Sequence, residues 1–279
     1  MERPLILVTN DDGVDSPGLW AAVEAVLPLG EVLVVAPDRQ WSGAGRCIPN
    51  HVSGRVTSST RRLLGKELPV YVLDATPALG VVVAVLRLAP RRPDLVVVGV
   101  NFGVNPSYDV TYSGTVGAAL EAGAFGIPSI AVALEMDPAY HLIGESSADY
   151  TVSQALTQRL ASHLLTHPPV PGVHAWNLNI PPQATVQTPW RLTRLSRHRY
   201  YRAIVPEPGS NDTEIRYRVL DDLSQVEQDS DVWALAVDRV VSLTPLSLDL
   251  TWRPPQAASL SFGGDAWDSL DRLVKARSD

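Results

Sequence analysis

Two carboxylates stand side by side in Thr9-Asn10-Asp11-Asp12-Gly13, directly after the apolar run Leu5–Val8. At the end of a buried strand such a pair loses hydration and its charges repel, so something must compensate them. A divalent cation does so directly, and carboxylate oxygens suit Mg2+, Mn2+ or Ca2+ better than Zn2+. Taken alone, the stretch fits a solvated Asp-Gly turn better than a metal site, with Asp11 or Asp12 capping a helix that starts near Pro17. Ser42, in Val35-Ala36-Pro37-Asp38-Arg39-Gln40-Trp41-Ser42-Gly43-Ala44-Gly45, offers a hydroxyl beside glycines that permit close backbone approach. Asn101 follows the run Leu95–Val98 by a short step, so its amide oxygen can sit at a strand tip as a neutral ligand. In Tyr108-Asp109-Val110-Thr111-Tyr112-Ser113-Gly114-Thr115-Val116-Gly117-Ala118-Ala119, Ser113 is a natural helix N-cap, and Ser113 and Thr115 carry hydroxyl donors. The free N–H groups and positive dipole end of such a helix make a receptor for phosphate. A capped helix packed on small residues explains Ser113 and the alanines, but not the whole run.

Other chemistries find less support. His163 and His167 are one helical turn apart, but no third ligand accompanies them and Pro168 ends the helix. Gly43-Ala44-Gly45 is not a dinucleotide fingerprint, and the chain has neither a P-loop nor a Gly-x-Ser-x-Gly elbow. A receiver-like signalling module also places an acidic pair after its first strand, and Asp74 could serve as its acceptor. It would also want a Lys at the fifth strand's end, and Ala131–Glu135 contains none. A haloacid-dehalogenase-type phosphatase would need Asp-x-Asp rather than adjacent aspartates.

These side chains need a scaffold that gathers distant loops. Leu5–Val8, Val32–Ala36, Val70–Leu73, Leu95–Val98, Ser129–Ala133 and Ala175–Ile180 read as short buried strands. Gly18–Leu27, Ala78–Leu88, Gly114–Gly123 and Ala148–Leu165 carry helical spacing between them. The alternation predicts an α/β fold with a mainly parallel sheet, whose ligands bind outside the C-terminal strand ends. After Pro181-Pro182 the character changes. Arg191–Tyr201 is basic and aromatic, and Glu207–Asp231 is polar and acidic. The expected organisation is a core over 1–181, an arm of strands and extended loops over 182–255, and a C-terminal segment over 256–279 with a short amphipathic helix, Asp265–Arg277. A net charge of −7 argues against a nucleic-acid partner, so phosphate chemistry here needs a local positive source. The sole cysteine, Cys47, cannot form an intramolecular disulfide, and neither a signal peptide nor a membrane-spanning run is evident. A soluble cytoplasmic protein is expected.

In combination, the loops containing Asp11-Asp12-Gly13, Ser42-Gly43-Ala44-Gly45 and Asp109–Ala119 resemble the SurE survival-protein family, as do Gly126-Ile127-Pro128, Asn177-Leu178-Asn179-Ile180-Pro181 and Leu243-Thr244-Pro245-Leu246. The resemblance implies a Rossmann-like three-layer core, with one divalent cation per subunit held by Asp11, Asp12, Ser42 and Asn101. It also implies phosphate contacts at Asn105 and at Ser113-Gly114-Thr115, with Asp11, Asp12 and Asn105 as the catalytic residues. The implied reaction is hydrolysis of nucleoside 5′-monophosphates, with 3′-monophosphates and short polyphosphate as further substrates. A β-rich hairpin in the arm would then be exchanged between subunits of a homodimer or tetramer. This chain departs from the family pattern at Arg46-Cys47, at Ala75-Thr76-Pro77-Ala78-Leu79-Gly80 and at Gly103-Val104-Asn105-Pro106-Ser107. Those departures bear on base preference and polyphosphate activity rather than on the metal site. The competing expectation is a non-catalytic nucleotide-binding or receiver-like regulatory module.

Overall fold

The computed structural model describes residues 3–50, 55–136, 148–204 and 216–251. The chain divides into two units, Met1–Leu248 and Asp249–Asp279. All elements below belong to the first, and the expected helix Asp265–Arg277 lies outside the described residues. No helix among the described residues is long and apolar enough to cross a membrane.

Eleven strands are described: β1 (Leu5–Thr9), β2 (Glu31–Pro37), β3 (Val56–Leu63), β4 (Lys66–Leu73), β5 (Leu95–Phe102), β6 (Ser129–Leu134), β7 (Ala175–Ile180), β8 (Trp190–Leu192), β9 (Tyr201–Ile204), β10 (Arg216–Val219) and β11 (Val241–Leu246). The helices are α1 (Pro17–Val26), α2 (Pro77–Val83), α3 (Gly114–Ala124), α4 (Thr151–Thr166) and α5 (Asp231–Ala236), with a π turn over Ala84–Leu88 and a 3-10 turn over Ser107–Thr111. Nine strands form one sheet in the order β3-β4-β2-β1-β5-β6-β7-β11-β8, and β9 and β10 form a separate antiparallel pair. From β4 to β7 every neighbouring pair is parallel. The fold is thus the α/β architecture expected, with the central parallel strands β2, β1, β5 and β6 buried on both faces.

Alternation along β1 explains the layers. Ile6 and Val8 join one apolar cluster with Leu19 and Val23 of α1 and Leu156 and Leu160 of α4. Leu5 and Leu7 join the opposite cluster with Val81 of α2 and Val116 and Ala119 of α3. With successive side chains on opposite faces, each face needs its own helix layer.

Three elements differ from the sequence expectation. Strand β3 pairs antiparallel with β4 over its whole length, yet its residues Val-Thr-Ser-Ser-Thr-Arg-Arg-Leu are largely exposed and give no apolar signal. The stretch expected as an arm divides between two places. Its strands β8 and β11 enter the main sheet, β11 running antiparallel to β7, while β9 and β10 pair with each other. A helix, α5, stands within a stretch read as extended. Ser230 caps it through an N–H bond from Trp233, and six residues are too few to display a period.

Candidate active site

The strand order reverses between β1 and β5, the neighbours from which the chain winds outward in opposite directions. Such a switch point leaves a crevice at the C-terminal strand ends. Asp11 and Asp12 follow β1 there and Asn101 lies near the end of β5, so these three expected oxygen donors flank the crevice. Helix α1 does begin at Pro17, but its N-cap residue is Ser16, so neither aspartate is its cap.

Asp11 is buried, and its Oδ1 accepts a hydrogen bond of 2.6 Å from the Thr115 hydroxyl. Gly114, the first residue of α3, lies so close that a Cβ there would stand 2.7 Å from Asp11 Oδ2. The positive end of a helix therefore faces the carboxylate. Half-buried Asp12 accepts a long bond from Gln40 Nε2 at 3.5 Å, and the Trp41 N–H donates to the Asp11 carbonyl at 2.6 Å. These contacts bring the loop after β2, with Ser42, onto the Asp11-Asp12 loop.

Asn101 is aimed by a bulge. Val98 pairs with Ala131 but Asn101 with Ala133, so β5 carries one extra residue at Gly99-Val100. Gly99 has φ 129°, and a Cβ on it would lie 2.3 Å from the Val132 carbonyl oxygen. Only glycine fits. The Asn101 side-chain N–H donates to the Gly103 carbonyl at 2.6 Å, which leaves the amide oxygen as the atom available to a ligand.

Ser42, Asn101, Asn105 and Tyr112 share a cavity of about 410 Å³ with Tyr201 and Tyr217. Asn105 is clamped through its backbone: its N–H donates to Asn179 Oδ1 at 2.8 Å, and its carbonyl accepts from Asn177 Nδ2 at 2.8 Å. Its own buried side-chain nitrogen has no partner among the described residues. A buried donor in that state is suited to an anionic ligand oxygen. Ser113 caps α3 by accepting from the Val116 N–H at 3.1 Å, which leaves its hydroxyl proton free to point elsewhere.

The segment between Asn105 and Ser113 is held by two buried carboxylates that sequence reasoning missed. Asp231 accepts N–H bonds from Ser107 (2.8 Å), Ser196 (2.9 Å) and Val232 (2.8 Å). Ser107 sits at φ 58°, a strained position for a side-chain-bearing residue that these bonds hold in place. Burial pushes the Asp231 carboxyl above its ordinary range, against the pull of those N–H groups. Asp109 is raised by burial too, opposed by its bond from the Tyr112 hydroxyl and by the charge of Arg199. Asp231 shows no signature in sequence, because Ser107 and Ser196 lie far away along the chain; Asp109 stands within a quoted loop, but nothing in the sequence shows that it is buried. The roles of Asn177 and Asn179 were equally hidden, although their alternation in a strand places both on one face.

Two other candidates are engaged elsewhere. Asp74 forms an exposed ion pair with Arg39 at 2.8 Å. His163 and His167 stack on each other at the end of α4, with ring centroids 3.9 Å apart.

The donor set suits a hard cation. Asp11 and Asp12 supply carboxylates, while Ser42 and Asn101 supply neutral oxygens from loops that meet at the same crevice. Among the described residues no group of three or more His, Cys, Asp or Glu side chains gathers; the expected set has only two charged members.

A mainly parallel α/β sheet, with an oxygen-rich crevice at its switch point and a capped helix start alongside, defines a protein built to handle phosphate. The family model described as survival protein SurE matches residues 6–202, and the chain belongs to that family. Among its relatives is the 5′-nucleotidase SurE of Thermococcus gammatolerans, 40% identical over 251 residues covering 89% of this chain and 91% of the relative. The 5′-nucleotidase SurE of Moorella thermoacetica is 38% identical over 265 residues, 92% of this chain and 96% of the relative. The crystal structure of the SurE protein from Aquifex aeolicus superposes with a TM-score of 0.68 at 29% identity, covering 99% of this chain and all of that one.

Proposed function

We propose that this chain is a divalent-metal-dependent phosphatase that hydrolyses nucleoside 5′-monophosphates to nucleoside and phosphate. The observation that carries the reading is the buried Asp11 carboxylate set against the start of α3, beside a cavity where Asn105 presents a side-chain nitrogen with no partner among the described residues. The relatives named 5′-nucleotidase SurE support the substrate class.

In this reading Asp11, Asp12, Ser42 and Asn101 hold one Mg2+ or Mn2+. When bound, the cation polarises a phosphoryl oxygen and lowers the pKa of water. The chain's own groups do the rest. Asn105 Nδ2 and the free N–H groups at the start of α3 bind the equatorial phosphoryl oxygens and stabilise their growing charge. The Asn177–Asn179 clamp fixes Asn105 so that little reorganisation accompanies reaction. We further propose that the arm, including the β9–β10 pair, joins two subunits, and that the sole cysteine fits work in the reducing cytoplasm.

Phosphate release from a panel of nucleoside 5′- and 3′-monophosphates and short polyphosphate tests the reading, run with Mg2+, Mn2+ or EDTA. Release that needs the cation, and that falls on the order of a hundredfold or more in Asp11→Asn, is expected. Full activity of Asp11→Asn with Mn2+ would overturn the proposed site. Absence of release with every cation would leave a nucleotide-binding module in place of the enzyme.

A further inference from the structure

Asn177 and Asn179 of β7 hold Asn105 by its backbone carbonyl and N–H. The chain beyond it is held from elsewhere. Pro106 has no N–H to contribute, and Ser107 follows at φ 58°. A residue with a side chain stays in that conformation only where its surroundings dictate it. At Ser107 the dictating group belongs to α5, 124 positions further along the chain.

Asp231 opens α5 with a fully buried carboxylate whose two oxygens have separate tasks. Oδ1 accepts the N–H groups of Ser196 at 2.9 Å and Val232 at 2.8 Å, which ties the helix to the segment before β9. Oδ2 accepts the Ser107 N–H at 2.8 Å. The Ser107 hydroxyl is also enclosed, 2.7 Å from the His198 carbonyl oxygen and 3.1 Å from that of Ser196. On the near side of Asn105, Val104 packs in a small apolar cluster with Tyr200, Val226, Val232 and Leu235. Asn105 is therefore bracketed, before and after, by contacts to α5 and the segment that α5 carries. Buried as it is, Asp231 can affect a ligand only through the loop it holds.

We infer that Asp231 is a positioning residue for phosphoryl transfer: by fixing Ser107 it aims the Asn105 side chain, whose buried nitrogen has no partner among the described residues, at the phosphoryl group. The inference rests on the nucleotidase reading and deepens it, giving α5 a part in catalysis.

Asp231→Asn cuts this link almost alone. The amide keeps its oxygen toward Ser196 and Val232, because the reverse orientation would set its NH2 group against two donors. The NH2 group then faces the Ser107 N–H, donor against donor. A double-mutant cycle with Asn105→Ala tests the role, reading AMP hydrolysis with Mg2+, binding of inorganic phosphate by calorimetry, and Tm. Asp231→Asn should lower kcat/KM about tenfold to a hundredfold, mainly through kcat, as a misplacement of about 1 Å can do. In the Asn105→Ala background the same change should cost less than about twofold, and phosphate affinity should show the same coupling. Additive losses, or a lower Tm with kcat/KM unchanged, overturn the inference and leave Asp231 as a support of the fold. If Asp231→Asn does not fold, Ser107→Ala enters the same cycle. It removes only the hydroxyl contacts, its smaller loss should be coupled in the same way, and additivity there overturns the inference equally. Coupled phosphate binding without turnover by wild type would sink the nucleotidase reading and keep the positioning role; turnover with additive losses does the reverse. Wild type that neither turns over AMP nor binds phosphate refutes both.

Discussion

Asp11 is the residue on which the site turns, and its nearest partner is Thr115. The two are 104 positions apart and both almost fully buried, and the Thr115 hydroxyl has one proton, which it directs to Asp11 Oδ1 at 2.6 Å. Sequence suggested Thr115 as a donor to phosphate; in this structure it orients a carboxylate instead, leaving backbone N–H groups of α3 for the anion. Groups that orient a metal-binding carboxylate typically cost 10–100-fold in affinity or activity when removed. Thr115→Val keeps the shape and removes the donor, so cation-dependent phosphate release should fall by about that factor, with the cation concentration for half-activity rising. Thr115→Ser keeps the hydroxyl and should retain most activity. Steady-state assays across a Mn2+ titration decide it, and a Thr115→Val enzyme with wild-type cation dependence would remove Thr115 from this role.

At the scale of elements, the Ser42 loop depends on how closely it lies on α3. The Gly45 N–H donates to the Tyr112 carbonyl at 2.8 Å, and Arg46 Nε donates to buried Glu121 at 2.6 Å. A Cβ on Gly117 would stand 2.3 Å from the Gly45 carbonyl oxygen and 2.6 Å from the Arg46 nitrogen. Helix propensity alone favours Gly117→Ala by up to about 1 kcal/mol. The obstructing atoms are backbone, however, and overpacking of this kind costs about 1–3 kcal/mol. Sterics should win. Gly117→Ala is expected to lose stability in urea unfolding and to lose activity as the Ser42 loop lifts from the helix; a gain in stability would show that the loop yields freely. This contact also shows what could be read from sequence. The Gly/Ala run after Ser113 signalled close packing, and the six buried β-branched runs signalled the parallel strands. Strand β3 did not announce itself, because its polar residues are held by pairing with β4 rather than by burial. The tyrosines of the cavity were equally silent: Tyr112, Tyr201 and Tyr217 share no motif, and only the fold brings them to one cavity.

At the scale of the whole molecule, the expected oxygen donors come from the loops after β1 and β2 and from the tip of β5, segments that meet only in the folded chain. A cation held there binds the native state and has no comparable site in the unfolded one, so it must raise stability by mass action. At a hundredfold excess over its dissociation constant the gain is about 2.7 kcal/mol, which for a chain of this size corresponds to roughly 5–10 °C in Tm. A net charge of −7 complicates the reading, because any cation screens self-repulsion in an acidic protein. The decisive comparison is therefore Mn2+ or Mg2+ against NaCl at equal ionic strength, in wild type and in the Asp11→Asn, Asp12→Asn double variant. The divalent ion should raise the wild-type Tm well beyond the NaCl control and leave the variant at the control value. Removing two like charges from a crowded loop can itself raise the variant's baseline Tm, so the quantity that matters is the shift on adding cation. A variant that shifted as far as wild type would mean that the cation stabilises the protein from somewhere other than the loop after β1.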